Sequence, residues 1–260
     1  MASLYLNEEL HPDAFVVGAR LPVWGADARH AAQVARVRTG ERVGVGDGSG
    51  RVAWGRVVHV AQSEVAIEAE EIVLAERRRP GIVLVQALAK GDRDELAVQA
   101  ATELGISAVV PWQAARSVSR WEGPKALKGE ERWRAVVREA SKQAIRPSVP
   151  EVRPLTTTRT LAAALTESVV AGGGLALVLE PSAPEPLAAL LRSGTPGGEA
   201  AAAAEELTLI VGPEGGIAPE ELEALAAAGA RLVRLGSEVL RTSTAGPAAI
   251  AALAVLLARW

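Results

Sequence analysis

The C-terminal two thirds of the chain alternate short apolar runs with segments of helical periodicity. The run from Ile82 to Leu88 is apolar except for Gln86. Such a run is typical of a parallel strand that is buried on both faces of its sheet. Further strands are predicted at Ile106–Pro111, Leu175–Leu179, Leu207–Val211 and Arg231–Leu235. Because these strands alternate with helices, the region is predicted to be an α/β domain with a parallel sheet.

Helix signals fall between the predicted strands. We expect Asp92 to cap a helix that Gly105 ends. Its apolar face is predicted to contain Leu96, Ala100 and Leu104. Residues 193–206 are rich in small residues and are predicted to form a mobile surface loop.

Three more helices complete the pattern. One is predicted over residues 129–145 and buries Trp133, Val136, Val137, Ala140 and Ala144. Another begins at Pro219, because proline is favoured at the first helical position and two acidic residues follow it. The last apolar stretch, Ala245 to Ala258, is too short to span a bilayer and is predicted to be a buried helix.

Residues 1–73 have a different sequence pattern, in which short runs of β-branched residues are separated by glycine. This pattern predicts strands and hairpins that form a small closed or nearly closed barrel, with a short helix over residues 29–38. The glycine-rich segment Gly44 to Gly50 is followed by a strand-like run and is read as a hairpin turn, since a dinucleotide site needs a helix there. Arg77 to Pro80 reads as a linker, and we place the second domain at residues 74–260.

Composition excludes several kinds of site. The chain has 260 residues, 49% of them apolar, which is enough for a substantial core. It has no cysteine, and its three histidines are widely spaced, so no metal site is predicted. The N-terminus carries acidic residues where a signal peptide would need basic and apolar ones. We therefore expect a cytoplasmic protein that does not enter a membrane.

Basic residues are concentrated in two segments of a chain whose net charge is −3. The segment from Arg20 to His59 contains seven arginines and three acidic residues. The segment from Arg116 to Arg153 contains ten basic and five acidic residues. Such islands are typical of contact with a polyanion such as RNA, or else of solvated helix faces. Trp121 lies in the second island, where it either stacks on a base or packs in the core.

Three loops follow predicted strands in the C-terminal third. Gly212 to Gly216, with the sequence GPEGG, comes directly after a buried strand and just before a helix. Leu235 to Ala245, LGSEVLRTSTA, follows the next strand, and Leu179 to Pro181 ends an earlier one. Ligands of α/β proteins bind at the carboxyl ends of parallel strands, so these three loops predict one pocket.

Two groups of polar residues each have two possible roles. Lys90 and Asp92 lie at another strand end, where they are either site residues or helix caps. Glu139, Gln143 and Arg146 form one stripe on the predicted helix, which either faces solvent or faces RNA.

These motifs together resemble the RsmE family of ribosomal small-subunit RNA uridine-N3 methyltransferases, in the SPOUT superfamily. The resemblance rests on QALAKGDRDELAVQAATELGISAVVP, EASKQAIR, LIVGPEGG and RLGSEVLRTSTA, in that order, and extends back to RHAAQVARVRTGERVGVGDGSG. It implies an N-terminal PUA-like RNA-binding barrel and an α/β domain with a deep trefoil knot. It also implies a homodimer, S-adenosylmethionine as cofactor and 16S rRNA of the small subunit as substrate.

The resemblance also implies site residues by match of motif. The cofactor would be held by Leu179, Glu180, Gly212, Pro213, Glu214, Gly215, Leu235, Gly236, Leu240, Thr242 and Ala245. Ser243 stands where many relatives have glutamate, which argues against a mechanism that needs a carboxylate there.

Chemistry at uridine N3 assigns the remaining roles. N3 must lose its proton, so we expect Arg241 to stabilise the uridine anion as the catalytic residue. We expect RNA contacts from Arg29, Arg36, Arg38, Lys90, Glu139, Gln143 and Arg146. Two alternatives remain at this stage: another SPOUT enzyme that methylates a ribose, and an RNA-binding assembly factor without activity.

Overall fold

A computed structural model of the protein describes residues 3–192 and 194–260. The chain divides into two compact units. The first contains Met1–Arg77 and Arg138–Val149, and the second contains Arg78–Val137 and Pro150–Trp260.

The first unit is built on one sheet of five strands. In chain order these are β1 (Leu4–Leu6), β2 (Arg20–Trp24), β3 (Arg42–Gly46), β4 (Arg51–Val60) and β5 (Glu64–Leu74). Their order in the sheet is β1-β3-β4-β5-β2, and every pair is antiparallel except β1 with β3. The Asn7 side-chain amide donates to the carbonyl of Pro22 at 2.8 Å and so links the two edges. The predicted β-rich N-terminal unit is confirmed.

The hairpin turn predicted at Gly44 to Gly50 joins β3 to β4. Asp47 fixes this turn, because one carboxylate oxygen accepts the backbone N–H groups of Ser49 at 2.8 Å and Arg51 at 3.0 Å. The helix predicted over residues 29–38 lies earlier, as α1 (Gly25–Arg29) and a π-helical turn at His30–Val34. That prediction was displaced because Arg36 adopts φ 53°, which ends the helix and turns Val37 into the core.

The second unit contains the parallel sheet that the apolar runs predicted. Its strands are β6 (Gly81–Ala87), β7 (Ala108–Gln113), β8 (Glu151–Val152), β9 (Thr156–Thr157), β10 (Leu175–Leu179), β11 (Glu206–Val211) and β12 (Arg231–Val233). The order is β12-β10-β11-β6-β7-β8, with β9 also paired to β7, and all pairs are parallel. β6, β10 and almost all of β11 are buried, as expected for central strands covered on both faces.

Helices connect the strands of this sheet. They are α2 (Arg93–Glu103), α3 (Pro124–Gln143), α4 (Thr158–Leu165), α5 (Leu187–Leu190), α6 (Pro196–Ala203), α7 (Pro219–Ala227) and α8 (Thr242–Leu256). α4 continues as a π-helical turn at Thr166–Ala171. The last residues of α3, from Arg138, are grouped with the first unit. Within residues 3–192 and 194–260, no helix is long and apolar enough to cross a membrane.

Two predictions about α2 were wrong. Leu96 is 57% exposed, and the buried apolar side chains of the helix are those of Ala97, Val98 and Ala101. Asp92 does precede the helix, but it makes no capping hydrogen bond with its side chain. With φ at 58° it lies in the left-handed region, and its carboxylate accepts from Arg132 at 3.1 Å.

Two other helices differ from prediction. α6 lies within the segment predicted as a mobile loop, and Thr195 caps it by accepting the N–H of Gly198 at 3.1 Å. Ser193, the first residue of that predicted loop, is outside the described residues. α3 begins at Pro124, earlier than predicted, and ends at Gln143, two residues before the predicted end. It buries Trp133, Val137 and Ala140 as expected, whereas Val136 is half-buried and Ala144 lies beyond the helix.

Candidate active site

Three loops of the second unit surround one cavity of about 440 Å³. They follow β10, β11 and β12, which are neighbours in the sheet in the order β12-β10-β11. Parallel neighbours end at the same edge, so the three loops meet there. The pocket expected from the sequence in the C-terminal third is therefore present.

Most of the residues predicted to hold a cofactor line this cavity. They are Leu179, Glu180, Gly212, Pro213, Glu214, Leu235, Gly236, Leu240, Thr242 and Ala245, together with Arg241. Gly215 is not among the lining residues, and its neighbour Gly216 is. The Gly215 carbonyl accepts from Arg116 at 3.3 Å. The lining also contains Arg93, Arg234 and Glu238, which lie within the quoted motifs but were not predicted as site residues.

The glycine-rich loop after β11 requires its first glycine for steric reasons. A Cβ atom at Gly212 would lie 2.6 Å from Cγ1 of Ile217, which is buried. Gly216 has φ 72°, a conformation that favours glycine. The backbone can therefore fold tightly back on itself at the edge of the cavity.

A buried hydrogen-bond chain joins the loops after β11 and β12. Thr242 Oγ1 donates to the carbonyl of Gly212 at 2.8 Å and accepts from Nε2 of Gln86 at 2.8 Å. Gln86 is fully buried in β6. Sequence reasoning missed Gln86, although its position as the one polar residue in an apolar run was a signal.

Glu214 holds the same loop to the segment before α2. Its Oε1 accepts the backbone N–H of Lys90 at 3.1 Å and Nη1 of Arg93 at 3.0 Å. Burial acts to raise the pKa of Glu214, but these hydrogen bonds and the charge of Arg93 outweigh it and lower the pKa. The carboxylate stays ionised at neutral pH and positions the loop.

The two arginines at the β12 edge of the cavity have different surroundings. Arg234 donates to the carbonyls of Ala183 and Pro184, which fixes its guanidinium. Arg241 occupies the N-cap position of α8 and is exposed. Among the residues that the structure describes, no carboxylate pairs with Arg241. Its charge is thus available to a ligand in the cavity.

Comparison with known proteins identifies the family. Residues 76–254 match the RNA methyltransferase domain family, and residues 25–69 match the PUA domain of RNA methyltransferases. The whole chain is 44% identical to ribosomal RNA small subunit methyltransferase E of Mycobacterium bovis, covering 94% of that protein. The chain belongs to the ribosomal RNA small subunit methyltransferase E family.

Solved structures support the family assignment. The methyltransferase E of Neisseria gonorrhoeae, solved with bound S-adenosylmethionine, superposes with a TM-score of 0.81 at 26% identity, over 98% of each chain. A Legionella pneumophila protein solved with the same cofactor gives a TM-score of 0.80 at 25% identity, over 100% of this chain and 98% of that one.

The cavity of this family member fits S-adenosylmethionine in size and chemistry. Its volume falls in the range of about 300–1,000 Å³ that is usual for small-molecule sites. Apolar side chains such as Leu179, Leu235 and Leu240 can cover an adenine, and the glycine loops leave backbone groups open to it. No cluster of metal-ligating side chains occurs within residues 3–192 and 194–260.

The first basic island of this family member separates into paired and unpaired arginines. Arg20, Arg42, Arg51 and Arg56 form ion pairs with carboxylates, most of them on β5. Arg29, Arg36 and Arg38, the three predicted to contact RNA, are exposed, and no ion pair of theirs is found in the described part of the chain.

The other predicted RNA contacts lie in both units. Glu139, Gln143 and Arg146 belong to the first unit, and Lys90 belongs to the second. Glu139 pairs with Lys142 at 2.8 Å, and Gln143 is exposed. Lys90 is exposed, and its side chain makes no ion pair within the described residues.

Proposed function

We propose that the protein transfers a methyl group from S-adenosylmethionine to N3 of a uridine in 16S rRNA of the small ribosomal subunit. One observation carries this proposal. In a chain 44% identical to a ribosomal RNA small subunit methyltransferase E, the loops after β10, β11 and β12 surround one cavity of cofactor size.

The residues that would hold the cofactor are those that line the cavity. Leu179, Leu235 and Leu240 supply apolar surface, and Gly212 and Gly236 let the backbone approach the cofactor closely. Thr242 and Glu214 contribute indirectly, because each fixes the loop that carries Gly212. S-adenosylmethionine supplies an electrophilic methyl group when it is bound.

Arg241 is the proposed catalytic residue. The N3 proton of uridine must leave, and the negative charge that develops on the base needs a preorganised positive group. Arg241 offers an unpaired guanidinium at the edge of the cavity. N3 lies on the Watson–Crick edge of the base, so the target uridine must be unpaired or turned out of its stack to reach this group.

RNA binding is proposed for the N-terminal unit. We assign residues 1–73 to a PUA-like RNA-binding domain and residues 74–260 to the catalytic domain. The three unpaired arginines Arg29, Arg36 and Arg38 support phosphate contacts from the first of these. Contacts from Lys90, Glu139, Gln143 and Arg146 form part of the same proposal.

We further propose that the chain forms a homodimer through its second domain and that the loops of the cavity form a trefoil knot. Exposed apolar side chains on α2 and α8, which pack against each other, support the dimer: Leu96 is 57% and Val255 62% exposed. Protein interfaces are marked by exposed apolar side chains that form a contiguous patch. We propose a cytoplasmic location, where small ribosomal subunits are found.

A direct experiment uses small subunits from a bacterial strain that lacks its own enzyme for this modification. The subunits are incubated with the protein and S-adenosylmethionine, and the digested rRNA is examined by mass spectrometry. We expect 3-methyluridine. A ribose-methylated nucleoside instead would refute the base as the target, and absence of both cofactor binding and methylation would favour an assembly factor.

A further inference from the structure

The second unit contains another cavity, of about 450 Å³, beside the loop that leads into α2. Its lining comes from residues 89–92, 94 and 95, from the segment before α3 and from the first turns of α3. It shares no lining residue with the cavity proposed for the cofactor. Trp121 comes from the segment before α3, and Lys125 and Lys128 come from α3 itself. Lys90 comes from the loop that leads into α2.

Trp121 is held in one orientation at this cavity. A Cβ atom at Gly129 would lie 2.5 Å from Cδ2 and Cε2 of the indole, so the ring packs directly on the backbone of α3. Trp133 contacts it edge to face, with 5.4 Å between ring centroids. The backbone N–H of Trp121 donates to Oε1 of Gln113 at 2.9 Å. Trp121 is half-buried and is one of the residues that line the cavity.

The acidic residues of the cavity are already satisfied by the protein. Arg132 binds Asp92 at 3.1 Å and Glu95 at 2.6 Å. Buried Asp94 accepts the backbone N–H groups of Ala89 at 3.1 Å and of Glu95 at 2.9 Å.

The lysines of the cavity have no such partners. Lys90, Lys125 and Lys128 are exposed, and in the part of the chain that the structure describes none of them forms an ion pair. Lys125 and Lys128 lie three residues apart at the start of α3, immediately before Gly129. The charge that remains available at this cavity is therefore positive, next to an aromatic ring of fixed orientation.

We propose that this cavity is a subsite for one unpaired nucleotide of the RNA substrate. The base stacks on Trp121, and the adjoining phosphates bind Lys125 and Lys128. An aromatic platform with lysines beside it is the combination that binds single-stranded RNA without regard to sequence. The inference rests on the proposed function, because it assumes an RNA substrate, and it adds a contact outside the cofactor cavity.

The test measures the affinity of the full-length protein for a fluorescently labelled single-stranded RNA of twelve uridines, by anisotropy. Trp121→Ala is expected to weaken binding roughly 5- to 150-fold, the equivalent of losing one base stack. Trp121→Phe keeps an aromatic ring and is expected to retain most of the affinity. Trp260→Ala removes another exposed tryptophan and is expected to leave the affinity for RNA unchanged.

Two exposed-lysine variants keep the test valid if Trp121→Ala folds poorly. Lys125→Gln and Lys128→Gln are each expected to lower the slope of log affinity against log salt by about 0.7, one phosphate contact on a single strand. Arg159→Gln, an exposed cation on α4 outside both cavities, is the matched control and is expected to bind RNA in the same way as wild type.

The outcomes separate this subsite from the proposed function. If wild type binds RNA and forms 3-methyluridine while the Trp121 and lysine variants keep wild-type affinity, the subsite is refuted and the proposed function stands. If wild type binds S-adenosylmethionine but no RNA of any kind, both the subsite and the proposed function are refuted. Weakened RNA binding with unchanged cofactor affinity supports the subsite.

Discussion

The hydroxyl of Thr242 donates to the carbonyl of Gly212 at 2.8 Å, so the first residue of α8 is tied to the loop after β11. The same hydroxyl accepts from Nε2 of Gln86 at 2.8 Å. One buried threonine thus connects β6 and both loops at the edge of the cavity.

Replacement of Thr242 by valine keeps the volume of the side chain and removes the hydroxyl. We expect a loss of about 1–3 kcal/mol in the free energy of unfolding, because the buried amide of Gln86 loses the shorter of its two hydrogen bonds and keeps only the one to the carbonyl of Ala87. Cofactor affinity should fall as well. Urea unfolding and calorimetric titration of S-adenosylmethionine measure the two effects. Thr244→Val, at an exposed position of the same helix, is the control, and an equal effect there would contradict the prediction.

An alanine at Gly212 is expected to be destabilising. Its methyl group would lie 2.6 Å from Cγ1 of Ile217, and overpacking of this kind costs about 1–3 kcal/mol. Gly236→Ala is the matched control, because the nearest atom there is 3.4 Å away at the end of the flexible Glu238 side chain. The second substitution Ile217→Ala should recover part of the loss in a double-mutant cycle, and additive losses would rule out the steric cause.

Loss of the Arg241 guanidinium is expected to affect turnover more than cofactor binding. Arg241→Ala should lower the rate of methylation roughly 10²- to 10³-fold, the range for removal of one preorganised group that stabilises a developing anion. Arg241→Lys should retain part of the rate. Arg231→Ala, which breaks an exposed ion pair with Glu185, is the control. Full turnover in Arg241→Ala would show that the catalytic role is assigned wrongly.

Stability of the first unit is expected to depend on pH through a buried carboxylate. Asp27 is 2% exposed and accepts from Arg138 at 3.1 Å and from Lys142 at 2.7 Å. Burial acts to raise the pKa of Asp27, but these hydrogen bonds outweigh it and lower the pKa. A group whose pKa is lowered by folding stabilises the protein above its unfolded value. This contribution is lost as the pH falls from about 4 towards the folded pKa.

Asp27→Ala tests the size of that contribution. Removal of one partner from a buried ion pair costs about 3–5 kcal/mol, because the other charge stays buried and unpaired. Denaturant unfolding at neutral pH measures the loss. Glu9→Gln, at an exposed carboxylate of the same unit, should leave stability unchanged at every pH. A pH profile for Asp27→Ala with the same acid limb as wild type would exclude Asp27 as its source.

The unpaired arginines of the first unit are expected to bind RNA phosphates. Arg29→Ala, Arg36→Ala and Arg38→Ala should each weaken RNA binding in low salt. Each should also lower the slope of log affinity against log salt concentration by about 0.7. Arg42→Ala is the comparison, because Arg42 is already paired with Glu71 at 2.5 Å. An equal loss in Arg42→Ala would mean that pairing with β5 does not decide which arginines contact RNA.

Local sequence patterns were sufficient to predict the strands of the parallel sheet and most of the loops around the cavity. Apolar runs gave the parallel sheet because a strand covered on both faces has to be apolar along its whole length, and β10 begins and ends where its run does. GPEGG and LGSEVLRTSTA marked the cavity because loops at the carboxyl ends of parallel strands lie at the same edge of the sheet. α7 likewise begins at the proline that predicted it.

Tertiary structure decided which side chains are paired and which remain available. Counts along the chain treated all seven arginines from Arg20 to His59 alike, but carboxylates of β5, beyond that segment, neutralise three of them and Asp47 a fourth. Gln86 reaches Thr242 across 156 residues of sequence, and Leu96 is exposed on a helix whose small residues face inward. Pairing and burial depend on residues that are distant in sequence, so a local pattern cannot specify them.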